Sequence, residues 1–240
     1  MKKKFSSEHS PAMGQEQLVI SAVSYGSSSL PASMVFAGET EDRTYPIVFL
    51  LYLVEWKKRT VLIDAGCDTM PGFVMKDFIS PAAALKLLGT EPKEITDLVI
   101  THAHHDHIDG ARHFPNAEVY LQAEEYQAGK SYLPNPGKAH VFQTSCLVAG
   151  SIRVQRVGGH STGSSIATIE TADKTYVFGG DECYLRQCLE QKIPTGCSCN
   201  PDRSKQFIAQ YSKPGYQVLL AHEPTQQTGK IAVIKEEDLI

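Results

Sequence analysis

The sequence predicts an α/β fold with a metal site at the edge of its sheets, and three observations lead to that prediction. The chain has 240 residues, of which 42% are hydrophobic, so it can bury one sizeable core. Short apolar segments typical of strands alternate with segments typical of helices. Several of these strands end on a histidine or an aspartate, and α/β folds bind ligands beyond the carboxyl ends of their strands.

The N-terminal residues 1–16 are predicted to be a flexible tail that precedes a single domain over residues 17–240. Three lysines follow Met1, as in a signal peptide, but the apolar core of such a peptide does not follow them. No apolar run approaches the roughly 18 residues that are needed to cross a bilayer. We therefore expect a cytoplasmic protein, without membrane contact, whose six cysteines are free thiols.

The formal net charge of −4 provides no basic surface that would attract nucleic acid. The expected partner is therefore a small-molecule substrate, and the oligomeric state stays open. Four of the six cysteines lie close together in the sequence, which is compatible with small packed side chains or with an auxiliary metal or redox site. These four are Cys183, Cys188, Cys197 and Cys199.

The first part of the chain is predicted to be mainly β-structure. Residues 24–46 are rich in Ser, Gly, Pro and Thr and are predicted to form a long loop. Asp64 ends an apolar strand, where it is expected either to orient a metal-bound histidine or to cap the junction. Further elements follow from apolar periodicity and from Pro and Gly at helix ends. They are strands at 18–23, 47–54, 60–64, 97–100 and 117–121, and helices at 81–88, 110–114 and 123–127.

The stretch from residue 101 to 110 concentrates metal-binding side chains. His102, His104, Asp106 and His107 lie within six residues, directly after the strand at 97–100. Imidazole and carboxylate groups are ligands of zinc and related divalent metals. In an extended segment, side chains two residues apart point the same way, so His102 and His104 can converge on one ion. A turn after His104 can then direct Asp106 and His107 to a second point.

The second half of the chain supplies three more strand ends of the same chemistry. A strand at 151–157 leads to His160, a hairpin of strands 166–170 and 175–178 leads to Asp181, and a strand at 217–220 leads to His222. A helix is predicted at 202–212. Three such strand ends, after a loop with four candidate ligands, predict a metal site rather than scattered structural histidines.

Taken together, these motifs resemble the metallo-β-lactamase superfamily over about residues 17–225. The resemblance implies an αββα sandwich, in which two mixed β-sheets face each other and helices cover the outer faces. It implies two divalent metal ions, with zinc expected and manganese, iron or cobalt as alternatives. It assigns His102, His104 and His160 to one metal, Asp106, His107 and His222 to the other, and Asp181 to the bridge between them.

Within the superfamily, the chain is similar to N-acyl homoserine lactone lactonases. Tyr184 lies three residues after Asp181, and in those enzymes a tyrosine at this spacing hydrogen-bonds the substrate carbonyl. Asp106 and Tyr184 are therefore the candidate catalytic residues, although Tyr184 is also compatible with a packed aromatic role. Three positions depart from the usual pattern, namely Asp109, Thr162 and Ala221.

The implied reaction is hydrolysis of an ester or lactone by a hydroxide that bridges the two metals. A glyoxalase II-like thioesterase shares all seven candidate ligands, but it usually has a longer helical C-terminal part than the 18 residues that follow His222. Another hydrolase of the same fold and a non-catalytic metal-dependent sensor are the remaining alternatives. Turnover by the metal-loaded protein would distinguish an enzyme from a sensor.

Overall fold

The computed structural model describes residues 17–72, 74–226 and 228–240, and the predicted tail at residues 1–16 lies outside the described residues. The strands are β1 (Gln17–Pro31), β2 (Thr44–Trp56), β3 (Arg59–Ile63), β4 (Asp97–Val99), β5 (Glu118–Gln122), β6 (His140–Phe142), β7 (Ser145–Val148), β8 (Ile152–Arg156), β9 (Ser165–Glu170), β10 (Thr175–Phe178), β11 (Tyr216–Leu219) and β12 (Gly229–Lys235). The helices are α1 (Ala32–Val35), α2 (Pro81–Leu87), α3 (His105–Ile108), α4 (Ala123–Gly129), α5 (Arg186–Gln191) and α6 (Pro201–Tyr211).

Two mixed sheets form the centre of the fold, as the sequence predicts. One sheet has the strand order β12-β1-β2-β3-β4-β5-β6 and the other has the order β11-β10-β9-β8-β7. The predicted hairpin of strands 166–170 and 175–178 is confirmed, since β9 pairs with β10 in antiparallel register, and the predicted strands at 47–54 and 60–64 pair in the same way as β2 and β3. No helix in the described part of the chain is long and apolar enough to cross a membrane.

The period-two pattern of the strands builds an apolar layer on each face of the sheets. On β2, Leu50 and Tyr52 belong to the cluster that also contains Val154 and Phe178 of the other sheet, so these side chains fill the space between the sheets. The alternate residue Leu51 belongs to a second cluster that includes residues of the helices. This arrangement is the αββα sandwich.

Local signals explain where the helices α2 and α6 begin. The Ser80 side chain accepts a hydrogen bond from the backbone N–H of Ala83, and Pro81 is the first residue of α2. Asn200 caps α6 in the same way through the N–H of Arg203, and Pro201 follows it. Each cap satisfies a backbone donor that the helix itself leaves unpaired.

The prediction of a long loop over residues 24–46 is wrong. β1 continues to Pro31, α1 follows, and β2 already begins at Thr44. The serines of β1 fit a strand because β2 supplies backbone partners as far as the Pro31–Thr44 pair, with one register shift between Ser24 and Gly26. Strand pairing therefore overrides the local loop composition, and it also creates the unpredicted strands β6, β7 and β12.

Parallel neighbours in both sheets direct the candidate ligands to one edge. β3 and β4 are parallel, so the residues that follow them, Asp64 and Thr101, lie at the same end of the first sheet. β10 and β11 are parallel in the second sheet, which aligns the segments that lead to Asp181 and His222. A backbone hydrogen bond of 2.9 Å from Ser165 N–H to Thr101 O joins the two sheets at this edge.

Candidate metal centre

The metal-binding stretch leaves β4 in extended form and turns into α3. His104 has extended backbone angles and immediately precedes the helix, so His102 and His104 lie on the extended part and Asp106 and His107 on the helix. The helix is held against the segment after β3, because Ala65 N–H donates to His107 O at 2.8 Å. At Gly110 a Cβ atom would collide with the Ala65 carbonyl oxygen, so a glycine is required for this close approach.

The structure brings all seven candidate ligands together. Their ligand atoms form two groups, and within each group these atoms lie within 4.8 Å of one another. The first group is His102, His104, His160 and Asp181, and the second is Asp106, His107 and His222. The second group also approaches Asp181, whose Oδ1 lies 3.1 Å from His107 Nε2 and 3.2 Å from His222 Nε2.

The two oxygens of Asp181 face different groups. Oδ1 faces His107 and His222, whereas Oδ2 lies 3.7 Å from His102 Nε2 and 3.5 Å from His160 Nε2. The first group is compact, since His160 Nε2 lies 2.9 Å from His104 Nδ1. A carboxylate with one oxygen directed at each of two ligand sets has the geometry of a bridging ligand.

Unpartnered polar atoms show that the cluster fits metal ions. Five buried side-chain N or O atoms in the described residues have no hydrogen-bond partner, and only Trp56 Nε1 lies outside the cluster. The other four are His102 Nε2, His107 Nε2, His160 Nδ1 and Asp181 Oδ1. Buried polar atoms without partners are costly, and coordination of a cation would satisfy His102 Nε2, His107 Nε2 and Asp181 Oδ1, whereas His160 directs its other nitrogen, Nε2, at the group. A donor set of imidazole nitrogens and carboxylate oxygens suits zinc and its divalent neighbours.

A cavity of about 250 Å³ opens beside the second group. Tyr184 lines it together with Asp181 and His222, and the Tyr184 ring lies 5.2 Å from the His222 ring, centroid to centroid. The apolar part of the cavity wall is formed by Leu30, Met34, Ile47, Phe49 and Pro71. Burial and the charge of Asp181 raise the pKa of Tyr184 well above its usual value, so its phenol remains a hydrogen-bond donor.

A sequence model described as the Metallo-beta-lactamase superfamily matches residues 50–189, which is more than half of the chain. The chain belongs to the metallo-β-lactamase superfamily. The matched segment contains six of the seven candidate ligands, and only His222 lies beyond it.

Individual relatives agree with this family. The N-acyl homoserine lactonase AiiA of Bacillus thuringiensis subsp. kurstaki is 23% identical over 195 residues, which covers 70% of this chain and 77% of AiiA. The fold also matches an N-acyl homoserine lactone hydrolase with N-hexanoyl-L-homoserine at its catalytic metal centre, with a TM-score of 0.74, 20% identity, and coverage of 86% of this chain and 93% of that one. AidC, a dizinc quorum-quenching lactonase, matches with a TM-score of 0.71, 16% identity, and coverage of 93% and 94%. The prediction of a metal-dependent hydrolase is thus confirmed at the level of the family.

In this member of the superfamily, the structure shows what Asp64 contacts. It has a left-handed backbone with φ of 61° and accepts hydrogen bonds from the backbone N–H and the hydroxyl of Thr101 at 2.7 and 2.9 Å. Its Oδ2 also lies 2.7 Å from His107 Nδ1. Asp64 therefore orients His107 from behind and caps the start of the metal-binding stretch, so the two roles left open by the sequence occur together.

Sequence reasoning missed the roles of two acids next to the candidate ligands. Glu125 on α4 accepts hydrogen bonds from Ala103 N–H at 2.7 Å and from Gly163 N–H at 2.8 Å, which joins the loops of His102 and His160. Asp109, noted in the sequence only as a departure, accepts from the N–H groups of Asp68 and Thr69 at 2.9 and 3.3 Å. No local pattern marks either role, because their partners are distant in sequence.

The cysteines are free thiols and do not form a metal cluster among the described residues. Cys183 and Cys188 are buried, Cys197 is partly buried and Cys199 is exposed. Burial raises the pKa of the Cys197 thiol, which lies close to the Tyr184 side chain. The expectation of small packed side chains therefore describes two of the four cysteines best.

The histidines of the two groups differ in how strongly they hold protons in the metal-free protein. Burial lowers the pKa of His160 to about 4, and burial together with His107 holds the pKa of His102 well below its usual range. Burial alone would also lower the pKa of His107 and His222, but the neighbouring carboxylates, chiefly that of Asp181, raise both. The first group is thus ready to bind a cation at neutral pH, whereas the second must release protons first.

This difference predicts the order in which metal is lost on acidification. As the pH falls, protons should compete for the second group before the first, since a raised pKa places protonation at higher pH. His102→Ala weakens the first group and His222→Ala weakens the second. The ion that remains in His102→Ala should therefore leave at a higher pH than the ion in His222→Ala, as measured by metal content after dialysis. Loss at the same pH would contradict the expected difference.

Proposed function

We propose that this chain is a dinuclear metal-dependent hydrolase that opens lactone rings, with N-acyl homoserine lactones as the main substrate class. The observation that carries the proposal is the arrangement around Asp181, whose two oxygens face two groups of candidate ligands beside a cavity lined by Tyr184. The relatives that are named as N-acyl homoserine lactonases support the same substrate class. Family membership alone would leave the substrate open, because one fold hosts many reactions.

In this proposal the seven side chains hold two cations. His102, His104 and His160 would hold one, Asp106, His107 and His222 would hold the other, and Asp181 would contribute one oxygen to each. Two divalent ions held there would supply Lewis-acid chemistry for the attack of water on a carbonyl. Tyr184 donates its phenolic proton in a hydrogen bond to the substrate carbonyl oxygen, where negative charge develops. Contacts on the side of the imidazole rings that faces away from the metals, such as that of His107 Nδ1 with Asp64, hold the candidate ligands in position.

The cavity favours a neutral substrate with an apolar tail. The residues that line it in the described part of the chain include no lysine or arginine, so it offers no cation of the protein to a phosphate or carboxylate group. Apolar side chains, among them Leu30, Met34 and Phe49, line the cavity together with the candidate ligands. An N-acyl lactone places a polar ring near the metals and a hydrocarbon chain against these apolar side chains. This polarity favours the lactonase over a thioesterase whose substrate carries charged groups.

A hydrolysis screen tests the proposal. The metal-loaded protein is offered N-acyl homoserine lactones, thioesters and bis-p-nitrophenyl phosphate, and ring opening is followed in a pH-stat. We expect the highest kcat/KM for the lactones and a dependence on acyl-chain length that reflects the apolar wall. Faster hydrolysis of thioesters would indicate a glyoxalase II-like activity, and binding without turnover of any of these would indicate a sensor.

Tyr184→Phe should reduce kcat/KM for the best lactone by about 5- to 150-fold, or roughly 1–3 kcal/mol of transition-state stabilisation. The loss is moderate because a metal ion shares the charge that develops on the carbonyl oxygen. Metal content should stay unchanged, since Tyr184 belongs to neither group of ligands. Tyr211→Phe is a suitable control. Tyr211 lies on α6, its hydroxyl accepts a hydrogen bond from Gln155 Nε2, and it does not line the cavity. Parental activity in Tyr184→Phe would assign the residue to packing.

A further inference from the structure

Glu182, the residue after Asp181, is a fully buried carboxylate with no part in the proposed reaction. Its exposed fraction is 0%, and no ion pair with a lysine, arginine or histidine involves it in the described residues. Instead, four neutral donors surround it. Oε1 accepts from Gly159 N–H at 3.1 Å, from His160 N–H at 3.3 Å and from the Ser164 hydroxyl at 2.5 Å, and Oε2 accepts from the Ser204 hydroxyl at 3.2 Å.

These contacts fix the backbone of the loop that carries His160. Glu182 holds the N–H of His160, and Cys199 N–H donates to the carbonyl of the same residue at 3.1 Å, so both sides of its main chain are tied. The fit is tight at Gly159, where a Cβ atom would collide with the Glu182 carboxylate and the Ser204 hydroxyl. The glycine is therefore needed to let the carboxylate reach the loop.

The position of Glu182 in the chain couples two candidate ligands. Asp181 points between the two groups, whereas the next side chain holds the loop of His160. Asp181 Oδ2 lies 3.5 Å from His160 Nε2, and the neighbouring Glu182 holds the backbone of His160, so the two consecutive residues together fix this separation. A shift of this backbone would move the bridging carboxylate and the histidine relative to each other.

We propose that Glu182 is a positioning residue that presets the His102–His104–His160 group for its metal ion, and that it acts as a hydrogen-bond acceptor rather than as a charge. The proposal rests on the metal-binding function proposed above. Groups that support metal ligands from behind typically change metal affinity by about 10- to 100-fold when they are altered. The hydrogen bonds of Glu182 go to two backbone N–H groups and two serine hydroxyls and not to the ligand atoms of either group, so its effect must act through the loop.

Two conservative variants separate acceptor geometry from charge. Glu182→Gln retains the length and one carbonyl oxygen for the loop amides, and its NH₂ group can donate to the Ser204 hydroxyl. Glu182→Asp retains the charge, but its carboxylate is one methylene shorter and cannot reach all four donors. Asp97→Asn serves as a matched control, because Asp97 is also fully buried but is held by Arg59 and Thr96, away from the candidate ligands.

The measurement is stepwise Co²⁺ binding to the metal-free protein, followed by the visible spectrum in competition with a chelator. His102→Ala and His222→Ala identify which binding step belongs to which group. For Glu182→Asp we expect affinity at the first group to fall by about 10- to 100-fold and affinity at the second to change by less than about threefold. Glu182→Gln should remain within about threefold of the parent at both groups, as should Asp97→Asn.

Each outcome decides a different point. Parental Co²⁺ affinity and spectrum in Glu182→Asp would overturn the positioning role, and a loss in Glu182→Gln with retention in Glu182→Asp would show that the charge matters instead. An equal loss at both groups, matched by Asp97→Asn, would reduce Glu182 to general stability and also overturn the proposal. If the parent protein itself binds fewer than two Co²⁺ ions, the proposed dinuclear site is wrong and this role of Glu182 falls with it.

Discussion

Asp181→Asn is expected to slow hydrolysis by at least about 100-fold and to reduce metal retention. The amide keeps the shape of the side chain but removes its charge, and only one of its two polar ends can bind a cation. In the parent, each oxygen of Asp181 faces a different group of ligands, at 3.1–3.7 Å from the nearest imidazole nitrogens. Loss of the carboxylate should therefore weaken both metal positions together.

The comparison of Asp181→Asn with Asp97→Asn isolates this effect from the general cost of altering a buried acid. Metal content should be measured after dialysis without added metal, and kcat should be measured again with metal in excess. Activity in excess metal should stay far below the parent, because the spacing of the ions is no longer held by a shared carboxylate. Near-parental activity with two ions bound would mean that a different group bridges them.

Removal of the metal ions should have the second large effect, on activity and on stability together. We expect about two ions per chain, one for each group of ligands, and loss of lactone hydrolysis when a chelator removes them. An ion present at about 1,000 times its dissociation constant stabilises the folded state by about 4 kcal/mol. Two such sites correspond to a Tm difference of roughly 15–30 °C for a chain of this size.

The physical reason lies in the crowded polar atoms of the metal-free cluster. Four buried atoms of the cluster lack hydrogen-bond partners, and the ligand atoms of Asp181 and the histidines lie within a few ångströms of one another. Calorimetry with and without chelator measures the shift in Tm, and re-addition of Zn²⁺ should restore both Tm and activity. A fully active protein that binds a single ion and cannot take up a second would contradict the dinuclear mechanism.

Much of the candidate site follows from short sequence patterns. The spacing of His102, His104, Asp106 and His107 places four donors on one strand-to-helix turn, and the structure forms that turn at α3. The strand ends that lead to His160, Asp181 and His222 are also visible as apolar runs that stop at polar residues. Such patterns are readable because strand periodicity and adjacent donors are properties of a few neighbouring residues.

Other features depend on contacts that no local pattern encodes. The polar second half of β1 becomes a strand only because β2 pairs with it as far as Thr44. The acids Glu125 and Glu182 acquire their partners from loops about 20 residues or more away in the chain.

The sequence alone therefore determined which donor atoms this protein has and that strands present them, since both depend on the identity and order of neighbouring residues. Only the tertiary structure decided that one oxygen of Asp181 faces each group, that Asp64 holds His107, and that Glu182 holds the loop of His160. These relations arise when parallel strands from two sheets bring their ends to one edge. Their distances depend on how the sheets pack, which is a property of the whole chain.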